Sequence, residues 1–174
     1  MKRIAVLLGG AVLFAALAVP GRGADQNTAN WRLVPGGHPI PANDSLSLFN
    51  LTARKFLVWS PRRFGINLRY VAKAGRGFSF VRASKSDEPL TYGEPLAIRQ
   101  RSGRFLHHAK RRFGVDLAWS GTPVYEWEIG GGGGGTVVGA DTARHTQVSL
   151  FNTHAGAYLV YGERGPGVNL VWKQ

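Results

Sequence analysis

Three stretches of the chain repeat one pattern of apolar and polar positions. "FLVWSPRRFGINLRY" (56–70), "FLHHAKRRFGVDLAW" (105–119) and "YLVYGERGPGVNLVW" (158–172) each set an aromatic–Leu pair nine residues before a glycine. Each glycine is followed by a β-branched residue, then Asn or Asp, then Leu, and the three align without a gap. The anchor glycines are Gly65, Gly114 and Gly167, 49 and 53 residues apart. An alternating segment precedes each copy: "SLSLFN" (45–50), "PLAIRQ" (95–100) and "QVSLFN" (147–152). Period-two alternation with β-branched and aromatic residues predicts half-buried strands. "FSFVRA" (78–83) and "YEWEIG" (125–130) follow the first two copies as a fourth strand.

The third copy runs to Gln174 without a fourth strand, and "NWRLVPG" (30–36) matches "YEWEIGG" in its Trp, spacing and closing glycine. Counting it predicts twelve short strands in three sets of four, repeats 45–83, 94–130 and 146–174 plus 30–36. Long-period self-similarity of this kind has to be read before any local feature. An opening strand that completes the last set removes an exposed sheet edge. The turns are dense in Gly and Pro, and Gly130 to Gly135 reads as a flexible surface loop.

Alternation also assigns sides. Ile66/Leu68, Val115/Leu117 and Val168/Leu170 are expected to point inward, above Leu57, Leu106 and Leu159. Leu46/Leu48, Leu96/Ile98 and Val148/Leu150 are expected to line the inside of the sheet. Asn67, Asp116 and Asn169 then face outward, where their simplest role is a local hydrogen bond that shapes the turn.

The N-terminus departs from this pattern. Lys2-Arg3, the apolar run Ile4 to Val19 and the breaker Pro20-Gly21-Arg22-Gly23 have the form of a secretory signal peptide over 1–24. Cleavage is expected after Ala18 or after Ala24. The apolar run falls short of the roughly 20 residues a spanning helix needs, so a secreted or periplasmic location is expected, with 25–174 as one domain. That length buries enough surface to fold without staples, as it must, since the chain has no Cys. The formal charge is +12, and loss of Lys2, Arg3 and Arg22 leaves +9. A basic exported protein meets anionic partners: acidic polysaccharide, lipid or lipopolysaccharide headgroups. Nucleic acid is a disfavoured partner, and a monomer is expected.

Within "LAIRQRSGRFLHHAKRRFGVDLAWSGTPVYEWEIG" (96–130), Gly103-Arg104-Phe105-Leu106, Gly114-Val115 and Trp127-Glu128-Ile129 resemble trefoil repeats of the fascin and MIR kinds. "YGEPLAI" from Tyr92 is similar to the entry of MIR repeats. The resemblance covers Trp31 to Trp172 and implies an all-β, β-trefoil fold. The ricin-type lectins of that architecture carry Gln-x-Trp, which is absent here, so their sugar-site residues do not transfer. One architecture hosts many activities.

For chemistry, the chain offers no Gly-x-Ser-x-Gly, His-Glu-x-x-His or phosphate-loop motif. No catalytic residue, metal or cofactor is expected. Glu126 and Glu128 flank Trp127 and read as a solvated strand face. His107 and His108 are adjacent in a strand and point to opposite faces, while His38, His145 and His154 lack ligand spacing with them.

The basic loops between the second and third strands are the stronger signal: Pro61-Arg62-Arg63-Phe64, Lys110-Arg111-Arg112-Phe113 and Glu163-Arg164-Gly165-Pro166. If the copies are equivalent, Arg62, Arg63, Lys110, Arg111, Arg112 and Arg164 gather at one end and focus potential on an anionic ligand. Asn67, Asp116 and Asn169, with Trp59, His108 and Tyr161 on the second strands, are the polar and aromatic candidates beside them. The function expected is a secreted, non-enzymatic, lectin-like module for an acidic glycan. The alternative is a protein-binding module: a trefoil-type protease inhibitor presenting Pro35 to Asp44 or Gly130 to Arg144, or an adhesion or toxin-associated component. Copy two differs from its siblings, with Arg99-Gln100 where they have Phe49-Asn50 and Phe151-Asn152.

Overall fold

A computed structural model of the chain describes residues 28–36, 38–131, 134–139 and 147–174; the proposed signal segment lies outside the described residues. Twelve strands form one antiparallel sheet: β1 Trp31–Val34, β2 Ser47–Asn50, β3 Lys55–Trp59, β4 Leu68–Val71, β5 Phe78–Arg82, β6 Leu96–Gln100, β7 Phe105–His108, β8 Leu117–Ser120, β9 Trp127–Gly130, β10 Gln147–Asn152, β11 Ala157–Tyr161 and β12 Leu170–Lys173. There is no helix among the described residues, and so none that crosses a membrane.

The pairing runs β4-β3-β2-β1-β10-β9-β6-β7-β8, with β5 on β6, β11 on β10 and β12 on β11. The opening strand therefore lies between β2 and β10, in register Trp31↔Asn50 and Trp31↔Val148. At the far side, Leu46 and Phe78 exchange both backbone bonds, at 2.8 and 3.1 Å, which ties β5 back to the start of β2. The hairpins β3–β4, β7–β8 and β11–β12 complete the sheet.

All fifteen aliphatic residues assigned inward by alternation are buried in one core, at 3% exposure or less. Trp31 and Trp127 are fully buried at its centre. Each indole nitrogen is satisfied by a main-chain carbonyl on a second strand: Trp31 Nε1 to Leu159 O at 2.6 Å and Trp127 Nε1 to Leu106 O at 2.8 Å. An indole buried with its N–H paired adds hydrophobic area without an orphan donor.

Two expectations for the connecting segments change. Gly130 is not loop but the last residue of β9, opposite Ser149, and Gly131 approaches the Gln147 carbonyl so closely that a Cβ would fall 2.9 Å from it. Gly132 and Gly133 lie outside the described residues. The Pro35–Asp44 segment does not protrude: Ile40 and Ala42 are buried, and Ile40 N donates to Val138 O. Val138 is itself fully buried and donates to Leu90 O. Apolar residues in these linkers pull the two loops onto each other because burial of a Val or Ile is worth about 1.5–3 kcal/mol. Arg82 adds a bidentate pair with Glu94, at 2.7 and 2.9 Å, that pins the same region. The Glu94 hydrogen bond pushes the guanidinium pKa above its ordinary value.

Candidate functional site

The loops following β3, β7 and β11 converge. Gly65, Gly114 and Gly167 meet in a ring: a Cβ on each would lie 3.7, 3.6 and 3.8 Å from the Cα of the next, in the order Gly65 to Gly167, Gly114 to Gly65, Gly167 to Gly114. All three have positive φ, +79°, +88° and +123°, which an L side chain rarely adopts. The repeated glycine thus has a physical reason: left-handed backbone turning at a place where three loops crowd.

Each loop is built the same way. Asn67 Oδ1 accepts from Arg62 N at 3.1 Å, Asp116 Oδ1 from Arg111 N at 2.8 Å, and Asn169 Oδ1 from Arg164 N at 3.3 Å. The three polar residues therefore shape their loops. Arg62 and Arg111 then bridge between loops. Arg62 donates to Leu68 O at 3.1 Å and to Gly167 O at 2.8 Å. Arg111 donates to Leu117 O at 3.0 Å and to Gly65 O at 3.2 Å. These two guanidiniums are occupied by carbonyls, so they act as cross-ties. Arg164 shares only the backbone bond to Asn169 among the described residues.

All six cations are exposed, but Arg63, Lys110, Arg112 and Arg164 have no side-chain hydrogen bond among the described residues, and two phenyl rings stand beside them. Phe64 is 65% exposed and Phe113 63%, against the rule that a large apolar side chain is buried. Arg63 and Arg112 lie over their neighbours' rings, guanidinium carbon to centroid 5.4 and 5.3 Å. Cation and ring form an amphipathic tip on two of the three loops. The third tip carries Gly165-Pro166 instead. The acids of these loops are Asp116, which accepts from Arg111 N, and Glu163.

Of the aromatic candidates, Trp59 is open at 43% exposure. Tyr161 instead packs on Tyr70, centroids 5.8 Å apart, and accepts from Asn169 Nδ2 at 3.2 Å. His108 packs against Trp172 at 5.7 Å and stacks on His154 at 5.2 Å. The half-buried residues Tyr70, Trp119 and Trp172 close the three repeated stretches, and each has a buried polar atom without a partner. Burial of the Tyr70 hydroxyl raises its pKa above the ordinary value, with the nearby Tyr161 as a second cause.

Glu126 corrects the sequence reading. It is not on a solvated face but buried, with 6% exposure. Its carboxylate accepts from His108 N and from Asn152 Nδ2, the latter at 2.8 Å, and lies 4.0 Å from His154 Nδ1. It plugs the junction between β7, β9 and β10 as Asn30 plugs that of β1, β2 and β11, where Asn50 Nδ2 donates to Asn30 Oδ1 at 2.5 Å. Alternation cannot find this, because Glu126 precedes β9 and turns under a strand 26 residues away. The pairing of Asn152 with Glu126 and of Asn50 with Asn30 was hinted at only by the recurrence of Phe-Asn.

Comparison with known proteins finds no matching family model, no matching curated protein and no matching solved structure. The reading of function therefore rests on the residues themselves.

Proposed function

We propose that the chain is a β-trefoil and a secreted, non-enzymatic binding module that takes an acidic glycan on the end where its three loops meet. The trefoil reading is supported by three like pairings of a fourth strand with the first of its own set: Leu46↔Phe78, Leu96↔Trp127 and Val148↔Trp31. It is supported again by the glycine ring at the loops.

The observation that carries the functional reading is the pair of exposed tips, Arg63–Phe64 and Arg112–Phe113, on loops held together by Arg62 and Arg111. Rigid loops lose little freedom on binding, and preorganisation is where affinity comes from. The phenyl faces offer the C–H surface of a sugar ring an apolar platform. The four free cations offer its sulfate or carboxylate a counter-charge. At an anionic surface each Lys or Arg is worth about 1 kcal/mol, a gain that salt screens. A rigid inhibitor loop has less support, because the described parts of both candidate segments pack on one another.

The test is a glycan array of acidic and neutral saccharides, probed with the mature chain as salt is raised from 50 to 500 mM. Binding to sulfated or uronic polymers that weakens with salt is expected. Absence of binding to every acidic saccharide at low salt overturns the proposal.

A further inference from the structure

The three sets of strands meet at three junctions that can be compared position by position, and one of them is built differently. At the β1–β2 junction Phe49 packs edge-on against Phe56, centroids 4.9 Å apart, with the Arg32 guanidinium 6.0 Å from the Phe49 centroid. At the β9–β10 junction Phe151 packs the same way on Tyr158 at 5.0 Å. In both, the next residue is an Asn bonded to the plug described above, Asn30 or Glu126.

At the β5–β6 junction four positions change together. The register sets Arg99 opposite Ser79 and Gln100 opposite Phe78. Arg99 stands where the siblings have Phe, Gln100 where they have Asn, Gly77 where they have Asn30 and Glu126, and Ser79 where they have Arg32 and Glu128. Two large side chains are thereby replaced by small ones and a ring by a cation. The result is a cleft of about 270 Å³ whose polar lining comes from Asn43, Ser45, Ser79, Arg99, Gln100 and Arg101.

The lining is held in place. Arg99 Nε donates to Ser79 Oγ at 3.1 Å, which fixes the guanidinium and leaves its terminal nitrogens. Arg101 N donates to Gly77 O at 3.0 Å, anchoring the turn that carries the second guanidinium. Gln100 Oε1 accepts from Ser102 N at 2.7 Å and from the Ser102 hydroxyl, which leaves the amide nitrogen as a donor. Neither Arg99 nor Arg101 has an ion-pair partner among the described residues. Two carboxylates stand beside the cleft: Asp44, exposed between the lining residues Asn43 and Ser45, and Asp87, which accepts from Asn43 Nδ2 at 2.7 Å.

We propose that this cleft binds one oxyanion carried on a single sugar ring. Guanidinium groups match carboxylate and tetrahedral oxyanions in paired geometry. Ser45 and the Gln100 amide supply neutral partners of the kind a hydroxylated ring needs. A volume below the roughly 300 Å³ at which pockets for larger ligands begin suits one ring rather than an oligosaccharide. The chemistry is shared by sulfate esters, phosphate esters and uronic carboxylates. The site is separate from the loop tips and does not depend on what they bind.

The experiment is a titration of the isotope-labelled mature chain, followed by amide NMR shifts, with glucose 6-sulfate, glucose 6-phosphate, glucuronate, glucose and inorganic sulfate. Saturable shifts at Gly77, Ser79, Arg101 and Gly103 are expected with at least one charged sugar, and which one responds identifies the oxyanion. Arg101→Gln, on the exposed turn, is expected to weaken that response about tenfold or more. Arg99→Phe, which restores the sibling residue and fills the cleft, is expected to abolish it with the melting transition kept. Phe64→Ala/Phe113→Ala is expected to leave it unchanged, which separates failure of this site from failure of the loop tips. No saturable shift at these amides, an equal response to neutral glucose, or an undiminished response in Arg101→Gln overturns the proposal. An equal response to inorganic sulfate overturns the sugar assignment.

Discussion

The indole nitrogen of Trp31 donates to the main-chain carbonyl of Leu159 at 2.6 Å, joining residues 128 positions apart. Trp31 also pairs with Asn50 on one side and Val148 on the other, so a strand of four residues joins β2 to β10. Truncating it removes a fully buried ring and opens the sheet. Trp31→Ala is expected to cost about 3–5 kcal/mol and Trp31→Phe about 1–3 kcal/mol, the penalty of an orphaned carbonyl and lost area. Chemical denaturation of the chain checks both. A Trp31→Ala variant as stable as the parent contradicts the role of β1.

The glycine ring makes a sharper demand. Gly114→Ala is expected to cost about 1–2 kcal/mol, since an L residue there takes a left-handed conformation, and the new methyl abuts Gly65 at 3.6 Å. Gly165, where an added Cβ would meet open space and φ is not in the left-handed region, is the control: Gly165→Ala is expected to be neutral within about 0.5 kcal/mol. Thermal melts of the two variants side by side provide the measurement.

Tyr70 carries a pH dependence whose sign follows from its environment. Burial of the hydroxyl raises the folded-state pKa above the unfolded value of about 10. The folded chain thus holds the proton more tightly, and the contribution is fully present below about pH 10. It is lost as pH rises through the unfolded value toward the higher folded one. Stability is expected to fall above about pH 10, and Tyr70→Phe is expected to flatten that fall. Because the hydroxyl has no partner, the same change is expected to be neutral or stabilising at pH 7. Urea midpoints at pH 7, 9.5 and 10.5 decide it.

Neighbouring arginines are expected to separate stability from binding. Arg62→Ala removes two carbonyl bonds and is expected to lower the melting temperature by about 2–4 °C. Arg63→Ala removes a solvent-facing cation and is expected to leave melting unchanged while weakening attachment to a sulfated polymer severalfold. Calorimetry and binding measured on the same two preparations test the split.

The strands were legible because period-two alternation is a local signal, and the inward aliphatic residues from Leu46 to Leu170 followed from it. The common origin of the loops was legible too, through Gly65, Gly114 and Gly167. What the sequence could not reveal was decided by distant neighbours. Arg62 and Arg111 look identical in kind to Arg63 and Arg112, and only the approach of the Gly167 and Gly65 carbonyls ties the former across to a neighbouring loop. Glu126 read as solvated because nothing local shows Asn152 and His108 closing over it. Arg99-Gln100 stood out as an exception in the repeat, but its meaning needed Gly77 and Ser79, which belong to another set of strands.

The proposed ligand surface is the set of free cations and phenyl rings on the three converging loops. It is tested by the affinity of the chain for a defined sulfated oligosaccharide, measured calorimetrically at 100 mM salt. The parent is compared with a variant lacking Arg63, Lys110, Arg112 and Arg164. Charge removal at four sites is expected to weaken binding by about two orders of magnitude or more, with the fold intact by circular dichroism. Equal affinity in parent and variant would contradict the account.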